Sequence, residues 1–111
     1  MDKANVSKKL SSARSVPIHE GFYFYRDIGD PTGEVATSLG DFLEKLRAID
    51  VRSVEFHFKR QDFEKWTKDV LADDELSRRI SGIRRTAHGE ELREQITRLV
   101  KNRLDELALA L

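Results

Sequence analysis

The residue types that could do chemistry concentrate in one short segment, residues 55–66. It holds an imidazole, His57, between two carboxylates, Glu55 and Asp62, and it ends on the indole of Trp66. A carboxylate can orient a histidine that moves a proton, and an aromatic wall can stack on a planar ligand. These four residues are therefore the candidate ligand-binding residues, and a small-ligand or hydrolytic site around His57, Glu55 and Asp62 is one hypothesis for the function.

The same segment has an architectural interpretation, and the sequence favours it. Asp62 stands where its carboxylate could cap the helix that follows. His57 would then hydrogen-bond across the turn. The spacing of Phe58, Phe63 and Trp66 is that of side chains that fill a core. We therefore assign no catalytic residue, and the sequence leaves enzymatic activity open while favouring its absence.

A second concentration of functional residue types is basic. Guanidinium groups bind phosphates, so four arginines are candidate nucleic-acid contacts: Arg78, Arg79, Arg84 and Arg85. At about 100° per residue of helix, these side chains spread around a helix instead of forming one stripe. A solvated face is therefore the favoured interpretation, and nucleic-acid binding through these arginines is kept as an alternative.

The sequence contains no motif that is typical of a metal or cofactor site. The histidines at positions 19, 57 and 88 are too far apart to form a close-spaced ligand pair, and cysteine is absent. The segment from Gly29 to Gly33 lacks the Lys-Ser/Thr ending of a phosphate-binding loop. The sequence therefore predicts neither a metal nor a cofactor.

Length and charge set the remaining bounds. A chain of 111 residues has room for one core. Its 20 basic and 20 acidic residues cancel, so no overall field favours nucleic acid or an anionic membrane. No apolar run approaches the roughly 20 residues that cross a bilayer. We expect a cytoplasmic protein without membrane contact.

The elements that must position these residues are mainly helical. Residues 1–20 are predicted to form a flexible arm, and residues 21–111 a single helical domain. Four successive aromatic residues at 22–25 predict an extended or β segment whose alternate rings pack inward. The turn residues at 26–34 then predict a loop. The expected fold is a compact bundle of four to five helices behind this aromatic segment.

The helix boundaries are read from caps and apolar spacing. Ser38 opens the first helix, with Asp41 completing an acidic capping box. Residues 51–59 fit a strand and a helix equally well. Later helices are predicted from Asp62 to about Leu71, from residues 73–75 to residues 84–85, and from residue 90 to about residue 108.

Part of the chain resembles a known family. The matching segments are the aromatic run at 21–25, Ser38-Leu39, Ser-Val-Glu-Phe-His at 53–57, Asp-Phe-x-x-Trp at 62–66, residues 70–76 and Glu-Glu-Leu-Arg at 90–93. In these the chain is similar to an uncharacterised small, mostly helical domain of archaeal and bacterial proteins. That family has no established activity, so the resemblance implies no catalytic residue. It does imply that residues 51–59 are helical.

The leading functional hypothesis is a non-catalytic interaction or regulatory module that binds another protein or a second copy of itself. No catalytic constellation, cofactor fingerprint or net charge favours another class. Four leucines near the C-terminus are also expected to leave apolar surface for a partner: Leu104, Leu107, Leu109 and Leu111.

Overall fold

A computed structural model of the protein describes residues 15–109. Within that range a 3-10 turn, Ile18–Glu20, precedes two strands, β1 (Phe22–Asp27) and β2 (Asp30–Ala36). Five helices follow: α1 (Leu39–Ala48), α2 (Val51–Arg60), α3 (Asp62–Asp69), α4 (Asp74–Ser81) and α5 (Gly89–Leu109). The predicted mainly α fold with a short β segment is confirmed, although a two-stranded hairpin accompanies the helices and the fold is not a pure bundle.

The hairpin explains why one sequence prediction was wrong. The alternation of β1 buries Phe22 and Phe24 and turns Tyr23 outward, as expected. Residues 26–34 are not a loop, however: the chain reverses at Ile28 and Gly29, whose φ of 73° suits glycine. β2 is paired with β1 and is mostly solvent-accessible, so backbone pairing holds turn-type residues such as Pro31 in an edge strand.

The core is built where the inner face of β1 meets the helices. The ring of Phe22 lies 5.4 Å from that of Phe42 on α1 and 5.2 Å from that of Phe63 on α3. It also lies 5.6 Å from the ring of Trp66. These centroid distances are those of favourable aromatic pairs. The aromatic segment is thus a packed strand, and its inward rings join the first three helices.

The predicted start of the first helix is confirmed. The Ser38 hydroxyl accepts a hydrogen bond from the Asp41 backbone nitrogen at 3.0 Å. The Asp41 carboxylate accepts one in return from the backbone nitrogen of Thr37 at 3.2 Å. Each bond satisfies a donor at the helix start that has no partner within the helix.

Residues 51–59 are helical, and the predicted cap that follows them was wrong. α2 ends at Gln61, which adopts a left-handed conformation with a φ of 62°. Gln61 is also the N-cap of α3, so Asp62 is already the first helical residue and its carboxylate does not cap that helix. The tight junction instead turns the Asp62 side chain back toward α2.

The later helices depart from the sequence prediction at one end. α4 stops at Ser81 instead of reaching residues 84–85, because Gly82 ends it and the chain continues as a loop. α5 matches its prediction. Of the C-terminal leucines, Leu107 is buried, so the prediction that it leaves apolar surface was wrong, whereas Leu104 is only partly buried against the core. Leu109 is exposed, and Leu111 lies outside the described residues.

The predicted arm, residues 1–20, lies mostly outside the described range. Within residues 15–20, the Val16 backbone nitrogen donates to the Thr37 carbonyl at 2.7 Å. The Trp66 indole donates to the Glu20 carbonyl at 2.8 Å. Residues 15–20 therefore pack along the domain. Among residues 15–109, no helix combines the length and apolar character needed to span a membrane.

Candidate functional site

The structure brings together only two of the four candidate ligand-binding residues. His57 near the end of α2 meets Asp62 at the start of α3, with 2.8 Å between Nδ1 and Oδ2. Glu55 turns away and accepts a hydrogen bond from the Gly89 backbone nitrogen at 2.8 Å, at the start of α5. Trp66 is buried in the core and donates to Glu20. Glu55 and Trp66 thus hold the fold together elsewhere.

Both ring nitrogens of His57 are engaged. Nε2 lies 2.9 Å from the backbone nitrogen of Tyr25 on β1. A backbone N–H can only donate, so Nε2 accepts, and in the neutral ring the proton then resides on Nδ1. Nδ1–H donates to Asp62, which also accepts from Arg60 Nε at 3.1 Å. His57 therefore links the strand, α2 and α3 as one fixed tautomer.

Electrostatics agree with a neutral ring. Burial lowers the pKa of His57 below its ordinary value, and the hydrogen bond that His57 donates to Asp62, together with the charge of Asp62, opposes that shift only in part. Protonation would also set an N–H at Nε2 against the N–H of Tyr25. A general base needs a free lone pair aimed at its substrate. At His57 that lone pair is occupied by the backbone of the protein itself.

Beside His57 the surface carries an aromatic groove of about 440 Å³ between β1 and the α2–α3 junction. Its lining includes Tyr23, Tyr25, Ile28, Phe56, Arg60 and Asp62. The guanidinium of Arg60 lies over the Phe56 ring, 5.1 Å from its centroid. The groove therefore combines exposed apolar side chains with one paired cation and anion. Sequence spacing could not have revealed it, because its walls come from residues about 30 positions apart in the chain.

The four candidate arginines separate into two places. Arg78, Arg79 and Arg84 line a second groove of about 470 Å³ between α4 and α5. This arginine groove also contains Arg98 from α5, which the sequence prediction missed, and its lining includes Ile83 and Leu99. Arg85 lies apart: its guanidinium stacks over the Phe58 ring at 4.2 Å and donates to the Phe58 carbonyl at 2.7 Å.

One further buried group stands out on α3. Glu64 is only 8% exposed, and neither of its carboxylate oxygens accepts a hydrogen bond from the part of the chain that the structure describes. Arg85 Nη1 lies 3.6 Å from Oε2 and supplies charge without a hydrogen bond. Burial raises the pKa of Glu64, and the Arg85 charge opposes that rise. The charged form of Glu64 is therefore disfavoured by its burial.

Comparison of the chain with protein-family models, with curated proteins and with solved structures finds no match. The resemblance to an uncharacterised prokaryotic domain therefore stays a prediction. No reaction, ligand or partner is carried over to this chain from another protein.

Proposed function

We propose that this domain is a non-catalytic interaction module whose aromatic groove binds a second copy of the chain. The observation that carries the proposal is where the exposed apolar side chains lie. Among residues 15–109, four large hydrophobic side chains are exposed: Ile18 (64%), Tyr23 (46%), Ile28 (80%) and Leu109 (88%). Tyr23 and Ile28 line the aromatic groove, and the Tyr23 hydroxyl donates to the Ile18 carbonyl at 2.8 Å.

The non-catalytic part of the proposal is supported by His57. It is half of the imidazole–carboxylate pair that first indicated chemistry, and its two nitrogens join Tyr25 and Asp62. To act as a base, Nε2 would have to release the Tyr25 N–H, which would then lose its partner at the edge of the core. Leaving a buried donor unsatisfied costs about 1–3 kcal/mol. The pair is better suited to fixing the groove wall than to moving protons.

A second copy is the occupant that the groove chemistry favours. Ile28 projects from the hairpin tip next to the groove, so one face carries both a protruding side chain and a recess. A two-fold interface needs such a self-complementary face. The charged residues that line the groove, Arg60 and Asp62, are paired with each other at 3.1 Å, and on the hairpin Arg26 is paired with Asp30 at 2.9 Å. The net charge of zero means that two copies do not repel each other through their overall charge.

The test is sedimentation equilibrium of the full chain and of two matched variants. We expect the weight-average mass of the wild type to rise from 12.8 kDa toward twice that value as concentration increases to about 1 mM. Ile28→Asp should stay monomeric, because an aspartate at the hairpin tip cannot enter an apolar recess. Leu109→Asp changes an equally exposed residue away from the groove and should behave as the wild type does.

Two results would overturn the proposal. A wild type that remains monomeric across this range has no self-association to explain. An Ile28→Asp variant that associates as strongly as the wild type would place the contact elsewhere. If Leu109→Asp lost association while Ile28→Asp kept it, the contact between copies would lie at the C-terminal end of α5.

A further inference from the structure

The arginine groove between α4 and α5 combines four arginines with two apolar residues, Ile83 and Leu99. We infer that it binds an acidic segment of a partner protein, one that presents carboxylate side chains beside an apolar side chain. The inference goes beyond the self-association proposed above, because the arginine groove and the aromatic groove share no lining residue. The module would then hold a second copy on one face and an acidic partner on another.

The shape of the arginine groove fits a peptide side chain. Its floor includes Ile83, which is buried, and Leu99, which is partly buried against the core. The same groove is lined by arginines from both helices, Arg78 and Arg79 from α4 and Arg98 from α5. A partner can therefore bury an apolar side chain on the floor while its carboxylates meet the arginines at the rim. An apolar base with a few converging polar groups is typical of binding sites.

Arg84 is a cation without an ion-pair partner among residues 15–109. It is exposed in the loop after α4. Planar guanidinium groups bind carboxylates through two parallel hydrogen bonds. Arg84 can therefore take an external carboxylate without breaking an existing contact.

The neighbouring arginines differ in how firmly they are held. Arg79 is fixed by Glu75 at 2.7 Å and by Glu106 at 2.8 Å, and these two carboxylates raise its pKa. Within residues 15–109, Arg98 pairs only with Glu94, and both side chains are more than half exposed. Exposed pairs of this kind contribute about 0–1 kcal/mol, so a partner carboxylate can replace Glu94 at little cost.

The same contacts favour a protein over a nucleic acid. Glu75, Glu94 and Glu106 lie within ion-pair distance of the groove arginines and would repel the continuous charge of a phosphate backbone. The chain has no net positive charge to attract such a polymer. A peptide can instead place its carboxylates at separate points and leave uncharged residues next to the glutamates.

The experiment measures fluorescence anisotropy with three labelled probes. The first is a twelve-residue peptide in which glutamates surround two leucines at helical spacing. The second has glutamine at every glutamate position, and the third is a twelve-nucleotide oligothymidine. We expect the wild type to bind the first peptide, with an affinity that falls as salt increases, and to bind the other two at least about tenfold more weakly.

Matched arginine variants locate the binding. Arg84→Glu should weaken acidic-peptide binding at least about tenfold, which corresponds to about 1.4 kcal/mol. Arg47→Glu makes the same charge change at an exposed position on α1 and should leave binding unchanged. Ile28→Asp should also leave it unchanged, so a failure of self-association and a failure of peptide binding are separate results.

Three outcomes would overturn the inference. The first is no binding of the acidic peptide up to about 1 mM. The second is equal loss of binding in Arg84→Glu and Arg47→Glu, since a general charge effect needs no groove. The third is stronger binding of the oligothymidine than of the peptide with loss in Arg84→Glu, which would make this face a nucleic-acid surface.

Discussion

The Nε2 atom of His57 accepts a hydrogen bond from the backbone nitrogen of Tyr25 at 2.9 Å, across 32 positions of the chain. This contact joins the hairpin to α2 at the wall of the aromatic groove. Because Nδ1 of the same ring donates to Asp62, one neutral imidazole holds three elements in register. Protonation of His57 would remove the acceptor from Tyr25 and so weaken the attachment of the hairpin.

The first prediction is that stability falls as His57 is titrated. Burial lowers the folded-state pKa of His57 below its ordinary value of 6.5. As the pH falls below 6.5, the unfolded chain therefore takes up a proton before the folded one. The contribution of His57 to the free energy of unfolding is full above that pH and decreases toward the lower folded pKa, by at most about 1.4 kcal/mol per pH unit.

The measurement is urea unfolding of the wild type and of His57→Gln between pH 7.5 and pH 5. Glutamine can still accept from Tyr25 through its amide oxygen, but it does not titrate. We expect the free energy of unfolding to depend less on pH in the variant, because the imidazole of His57 is absent. His19 and His88 are present in both proteins and do not account for the difference. Equal slopes would contradict a depressed pKa at His57.

The sequence offered the His57–Asp62 pairing only within the ligand-site hypothesis, and the favoured interpretation placed Asp62 as a helix cap. Five positions of separation indicate that the two side chains can meet, whereas nothing local indicates that Tyr25 supplies a third partner. Asp62 was expected to cap α3, and it does not because Gln61 takes that position in a left-handed conformation. Contacts set by tertiary packing decide between a reactive histidine and a structural one.

In the fold, too, features set by neighbouring residues were predicted from the sequence, whereas features set by long-range contacts were not. The Ser38 cap and the alternation in β1 are local, and both predictions are confirmed, although Asp41 accepts from the backbone nitrogen of Thr37 and not from that of Ser38. β2 was missed because its turn-type residues are held by pairing with β1 and not by their own propensity. The arginine groove was missed because Arg98 joins the arginines of α4 in one groove only once the two helices pack.

A second prediction concerns close packing at the start of β1. A Cβ on Gly21 would lie 2.7 Å from the Val35 side chain and 2.9 Å from the Ala36 carbonyl oxygen, which is backbone and cannot move alone. Gly21→Ala should therefore destabilise the protein by about 1–3 kcal/mol. Gly40→Ala is the control: that position in α1 is open, and alanine should stabilise the helix by about 0.5–1 kcal/mol. Thermal unfolding that ranks the variants in the opposite order would contradict this packing.

A third prediction concerns the buried carboxylate of Glu64. Its folded-state pKa is raised, so the penalty for the charged form grows as the pH rises above the ordinary value of 4.5. Glu64→Gln removes that charge and should stabilise the protein at pH 8 by about 1 kcal/mol. The gain should shrink as the pH falls toward 4.5 and vanish below it, where the carboxyl becomes protonated in both the folded and the unfolded state.

Glu44→Gln is the matched control for Glu64, because Glu44 is exposed on α1 and should show no such gain. A Glu64→Gln variant that is less stable than the wild type at pH 8 would mean that the charge of Glu64 is satisfied by Arg85. Guanidinium unfolding is unsuitable here because the salt screens that pair, so urea is the denaturant of choice.

A fourth prediction separates two roles of Asp73 at the start of α4. Its carboxylate accepts from the Leu76 backbone nitrogen at 3.0 Å and from Arg103 Nε at 2.9 Å, so it caps α4 and ties α5 to it. Asp73 is 3% exposed, and removing both contacts with Asp73→Ala should cost about 3–4 kcal/mol. Asp73→Asn keeps an acceptor for Leu76 but loses the charge opposite Arg103, and it should cost clearly less. If urea unfolding gave equal losses for the two variants, the cap on the Leu76 backbone nitrogen would contribute nothing to the stability.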